Sequence, residues 1–151
     1  MNAKESVLQT LESQRSAVLS EDAQSVRNEW TDAIEDLFAR IAEWLRSAGD
    51  RKLLEVRMGH VSISEERLGT YSVPTMEIAL PLPYKIELIP KARFIGRGKG
   101  RVDVRCVPKE KILVRRDDDV WEVVELDSRA GYRRSTLTEE TFWTMFGELI
   151  G

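Results

Sequence analysis

Four groups of residues in this chain carry side chains from which chemistry could be built. Gly96, Gly98 and Gly100 alternate with Arg97 and Lys99, which suits a tight cationic loop that could lie against a phosphate. A nucleotide-binding loop of the Walker kind also needs a Ser or Thr after its lysine and a helix N-terminus facing the anion. Here Gly100 follows Lys99, and an alternating strand pattern follows that, so the stretch reads as a hairpin turn. Glu65 and Glu66 lie near His60, the one histidine, and are candidates for acid/base work. Nothing in their spacing gathers them in a cleft, and a charged loop is the reading preferred. Asp117, Asp118 and Asp119 offer oxygen ligands to a hard cation. Consecutive residues in a turn point in different directions and no EF-hand spacing follows, so a solvated turn is expected. Cys106 falls on the inward parity of its strand and reads as a small core residue. As the single cysteine it can form neither an internal disulfide nor a cysteine-based metal site.

The run Gly100-Arg101-Val102-Asp103-Val104 resembles a strand of restriction-type nucleases, where an Asp on one strand and a Glu-x-Lys on the next hold a metal and place the attacking water. The resemblance implies Asp103 as the first carboxylate. The next strand, Ile112-Leu113-Val114-Arg115-Arg116, has no carboxylate and no lysine, and Glu110-Lys111 precedes it at the wrong spacing. We therefore expect no metal, no cofactor and no catalytic residues. An enzyme would have to use an unfamiliar carboxylate site drawn from Glu65, Glu66 or Asp103.

The charge pattern is more informative. The net charge is −3. Between Tyr84 and Arg116 there are eleven Lys/Arg and three Asp/Glu, a local charge of +8, which leaves −11 for the rest. Lys85, Lys91, Arg93, Arg101 and Arg105 share the outward parity of two consecutive strands, Arg97 and Lys99 sit at the tip between them, and Arg115 or Arg116 extends the stripe. Such a surface could meet an acidic protein, a phosphate backbone, or the acidic side of the chain's own first helix; it could also be a plain solvated face. Outward aromatic residues that would stack on bases are missing from it. The partner-binding residues expected here are Lys91, Arg93, Arg97, Lys99, Arg101 and Arg105.

These residues need elements to carry them. Trp30, Ile34, Leu37, Ile41 and Trp44 recur at helical spacing, widened by Phe38 and Leu45, which predicts a helix from Ser20 to Gly49 with one broad apolar face. Ser20 suits its N-cap and Gly49 a left-handed C′ position. Residues 1–19 form a separate helical arm with a thin apolar line at Val7, Leu8, Leu11, Val18 and Leu19, either capped off at Ser20 or running on as one long helix. Such a segment is marginal alone, so it docks, pairs with a copy of itself, or frays. From Arg51 the period becomes two. The phase flips at Gly59, predicting a bulge or bend there; Leu68 is a plug in the following turn, and Pro74 suits an edge position. Further alternating runs from Tyr84, Arg101, Ile112 and Val120 complete about six antiparallel strands. Thr138 caps a final helix whose buried face is Phe142, Met145, Phe146 and Leu149. The class is α+β: a long N-terminal helical region, an antiparallel meander, and a C-terminal helix on the same sheet face, with residues 20–151 as one domain.

Taken together, Trp30…Leu37…Trp44-Leu45, Ser64-Glu65-Glu66-Arg67-Leu68-Gly69-Thr70-Tyr71, Gly100-Arg101-Val102-Asp103-Val104 and Leu137-Thr138-Glu139-Glu140-Thr141-Phe142 resemble small bacterial cytoplasmic proteins of no assigned activity. The resemblance covers most of the chain after Ser20 and transfers no role. No apolar run approaches the roughly twenty residues of a membrane span, and the start lacks the apolar segment of a signal peptide. The expectation is a cytoplasmic, non-enzymatic accessory protein or adaptor of a bacterial complex. It would hold a protein partner through the basic hairpin, and the N-terminal helix could join homo-oligomers. Nucleic-acid binding through the same cations is the alternative.

Overall fold

The computed structural model describes residues 2–94, 98–127 and 131–151. Helix α1 (Ala3–Asp50) is followed by strands β1 (Glu55–Glu65), β2 (Gly69–Ala79), β3 (Lys85–Ala92), β4 (Arg101–Cys106), β5 (Lys109–Arg115), β6 (Trp121–Asp127) and β7 (Gly131–Thr136), and then by helix α2 (Glu139–Ile150). The strands pair in sequence order as one seven-stranded antiparallel sheet, with α1 and α2 contributing to one core. The α+β meander is thus as expected, with one strand more. That strand, β7, has no buried residue, so hydrophobic alternation could not announce it.

The apolar stripe of α1 builds the core. Trp30, Ile34, Leu37, Phe38, Ile41 and Leu45 are buried, together with Ile78, Ile86, Leu88, Val102, Val104 and Leu113 from the sheet. Trp30 stacks on Trp121 at 6.0 Å between ring centroids, and Trp44 meets Phe142 of α2 at 5.4 Å. Thr138 caps α2 in a reciprocal capping box with Thr141, and Leu137 and Phe142 are both buried.

Two local readings change, and the alternative left open at Ser20 resolves to one long helix: α1 is continuous for 48 residues, with Asn2 as its N-cap, accepting the Glu5 N–H. Its end uses Lys52 rather than Gly49 in the left-handed conformation (φ 58°). The Lys52 and Leu53 amides there close back on the Gly49 and Ala48 carbonyls. Finally, Gly59 is no bulge: β1 and β2 stay in unbroken register from Glu55↔Ala79 to Glu65↔Gly69. The change of buried face is real, since Met76 and Ile78 are buried on one parity and Val73 on the other. It arises because β3 pairs only with Met76–Ala79. The remaining two-stranded ribbon is free to coil, as unsupported ribbons do. The bulge in the sheet lies instead between Pro90 and Ala92, leaving Lys91 unpaired.

The coiled ribbon is clasped at its tip. Leu68 is the expected plug, buried in the turn. Arg27 of α1 donates to the Leu68 carbonyl at 2.7 Å, and Glu65 accepts the Arg93 and Phe94 amides at 2.9 and 3.0 Å. Pro74 sits where β2 has β1 as its only neighbour, an edge position as expected. Among the described residues no helix is long and apolar enough to cross a membrane.

Candidate interaction surface

The six cations expected to bind a partner meet different fates. Lys91 is exposed in the bulge. Arg93 is half-buried; its guanidinium lies over the Phe94 ring at 5.2 Å, with Arg67 at 5.1 Å. Lys99 donates to Asp119 at 2.9 Å, and Arg101 donates through Nε to Asp103 at 2.7 Å. Arg105 is half-buried and lies across the ladders from Glu87 and Glu110. Arg97 is outside the described residues. A phosphate approaching this face would compete with the chain's own carboxylates. The same compensation runs along the sheet: Arg57 pairs with Glu55 and Glu77 at 3.1 and 3.6 Å, and Lys85 with Glu77 and Glu87 at 3.2 and 3.7 Å.

Arg115 does not extend the stripe. It shares the parity of buried Leu113 and points inward, with 7% of its side chain exposed. There it grips Glu29 of α1 through two hydrogen bonds of 2.9 and 2.6 Å and reaches Asp119 at 3.0 Å. Lys99, Asp119, Arg115 and Glu29 thus form one chain of charges linking the β5–β6 turn to α1. The Arg115 bonds hold the Glu29 carboxyl below its ordinary value. Burial works against the Arg115 charge, but Glu29 outweighs it and the guanidinium stays protonated more firmly than usual. The Lys99 bond likewise depresses Asp119. The aspartate turn is therefore partly structural rather than wholly solvated.

The candidate catalytic groups are spoken for or apart. Asp103 faces outward as its parity demands, yet it is buried beneath its Arg101 partner. Glu65 is the clasp of the ribbon: it accepts the two backbone amides and the Tyr71 hydroxyl. Burial, and then the neighbouring Glu65, push the Tyr71 phenol far above its usual range. His60 lies farther along β1, opposite Pro74. Cys106 is buried and free. Lys111, also of inward parity, bridges Glu125 and Glu148 at 2.6 and 2.5 Å and ties α2 to the sheet. Among the described residues no group of three His, Cys, Asp or Glu is placed to hold a metal. Inward parity with Leu113 was the sequence signal for both Arg115 and Lys111; their acidic partners lie too far along the chain for any local pattern to name them.

A second exposed surface lies at the start of α1. Every described residue from Asn2 to Arg15 is exposed, and burial against the sheet domain begins only around Ala23 and Val26. Val7, Leu8 and Leu11 are 56, 47 and 54% exposed. The helix that forms the core therefore continues as a bare amphipathic arm.

Compared with known proteins, the chain matches no family model, no curated protein and no solved structure.

Proposed function

We propose that this chain is a non-catalytic interaction protein, an adaptor or accessory subunit that holds protein partners through the start of α1, with the β3–β4 face around Lys91 and Arg105 as a separate contact. One observation carries the reading. A single helix is core from Trp30 to Leu45 and exposed at every described residue from Ala3 to Arg15, with three large aliphatic side chains in water. An unpacked helical segment of this length is marginal in water, and exposed aliphatic residues grouped on one helix suit a helix-in-groove or helix-pairing contact. The engagement of Asp103, Glu65 and Asp119 in ion pairs and backbone clasps supports a non-catalytic role.

The test is isolation of the protein from its native cell under mild conditions, with the wild-type chain and with Leu8→Asp/Leu11→Asp. The proposal expects the wild-type chain to emerge in a larger assembly and the double variant to emerge without it, both equally folded by circular dichroism. A hydrolytic activity abolished by changing one carboxylate among Glu65, Glu66 and Asp103 would contradict it.

A further inference from the structure

We propose that the tip of the β1–β2 ribbon holds a phosphate monoester between the guanidinium groups of Arg67 and Arg93. The site is separate from the arm of α1 and stands or falls without it. The coil of the ribbon brings the residues together: it carries Arg67, in the turn after β1, onto Phe94, just past the end of β3. Arg67 stands 5.1 Å and Arg93 5.2 Å from the centre of that one ring. The ring is 39% exposed, so the pair lies at the surface. A guanidinium laid over an aromatic ring spends its flat face there. Its fork of N–H donors lies in its own plane and is left for an oxyanion, whose oxygens it matches two at a time.

The charges of this pair are not answered as those of the sheet are. Arg57, Lys85, Lys99, Arg101, Lys111 and Arg115 each have a carboxylate at 3.2 Å or closer. Among the described residues neither Arg67 nor Arg93 makes an ion pair, not even with Glu66 beside Arg67. The buried Nε–H of Arg93 has no acceptor among them either. Glu65 is already spent on the Arg93 and Phe94 amides and the Tyr71 hydroxyl. Glu29 and Asp119 feel the Arg93 charge only behind their direct partners, Arg115 and Lys99. Residues 95–97, Ile-Gly-Arg, add no acidic side chain. The anion that these two forks suit therefore comes from outside the chain. A phosphate monoester carries about two negative charges at neutral pH, one for each fork. A nucleic-acid backbone asks instead for a track of cations. Here the track runs no farther than Lys91, because Lys99 and Arg101 are held by Asp119 and Asp103.

Titration of the full chain with inorganic phosphate, with a peptide bearing one phosphoserine and with its unphosphorylated form tests this, followed by NMR shifts of the Phe94 ring and the arginine Nε–H signals. Arg67→Lys keeps the charge and loses the fork, and Arg67 is exposed, so the core is untouched. Arg57→Lys, at a paired surface arginine, is the control. The expected result is saturable binding of the phosphate-bearing probes, weakened about tenfold by Arg67→Lys and unchanged by Arg57→Lys. A phosphopeptide that binds more tightly than inorganic phosphate supports the site and places the group on a partner protein; equal affinities support it and place the group on a small molecule. No saturable shift with either probe, or the same affinity in Arg67→Lys as in Arg57→Lys, overturns the site. A single-stranded oligonucleotide that binds more tightly than both, and loses that affinity in Arg67→Lys, overturns the monoester as its ligand.

Discussion

Gly100 and Trp30 show how tightly the centre of this molecule is determined. Gly100 has φ 152°, and a Cβ there would stand 2.2 Å from the Trp30 ring, well inside contact distance. Trp30 is fully buried and cannot withdraw, since Trp121 lies stacked against it. Gly100→Ala is expected to cost about 3 kcal/mol, read as a lowered midpoint in chemical unfolding and a change in indole fluorescence. The last glycine of the Gly96–Gly100 run is thus required by close packing at a strand entrance, not by an anion. The Glu29–Arg115 pair gives a second prediction. The Glu29 carboxyl is depressed in the folded chain relative to an ordinary carboxylate near 4.5. Its contribution is therefore present above about that pH and is lost as pH falls through the lower folded value. Glu29→Gln is expected to destabilise the chain by about 2 kcal/mol at neutral pH, because it strips a buried guanidinium of its bidentate acceptor. The gap between variant and wild type should close as pH falls below the carboxylate range, measured by urea unfolding at a series of pH values.

At the scale of elements, the second half of α1 and all of α2 were legible because each carries a broad apolar face at helical spacing, and α2 also starts on a recognisable cap, Thr138. Thr138→Ala should cost about 1 kcal/mol, seen as a lower thermal midpoint with the core aromatics still packed. The alternating strands were legible for the same reason. What escaped was set by tertiary geometry. Strand β7 is exposed along its length and is held by pairing with β6, so it has no periodicity to read. The change of face in β1 and β2 looked like a local bulge at Gly59, yet it comes from a ribbon that outruns its neighbour β3 and curls until Glu65 meets the Arg93 and Phe94 amides. Helix α1 runs through Ser20 because a serine inside a helix is only mildly unfavourable, and neither Gly nor Pro stands there to stop it. Arg101 was read on the outward parity and Lys99 at the hairpin tip, but charge counting could not see that Asp103 and Asp119 would answer them. Arg115 was offered with Arg116 as an extension of the stripe by its charge, although its parity with Leu113 placed it inside.

At the scale of the whole molecule, two kinds of surface are set apart. The sheet domain pairs ten of its charged side chains internally, through the Arg57–Glu77–Lys85–Glu87 ladder, the Arg101–Asp103 pair and the Lys99–Asp119–Arg115–Glu29 chain. The arm satisfies none of its own among the described residues and leaves Val7, Leu8 and Leu11 in water. In the proposed function, the core helix that extends into solvent connects this domain to a partner. The proposal then implies a difference in stability along a single helix: backbone amides in its core segment open only with the whole domain, whereas those of the arm are protected by the partner.

Hydrogen exchange along α1, followed by mass spectrometry on the full chain alone and in the assembly isolated from its native cell, tests this most directly. The account predicts slow exchange from residues 30 to 45 in both samples, and exchange from residues 3 to 15 that is fast in the free chain and slowed in the assembly. Equal protection of both segments in the free chain would contradict it, as would an arm that exchanges as fast in the assembly as out of it.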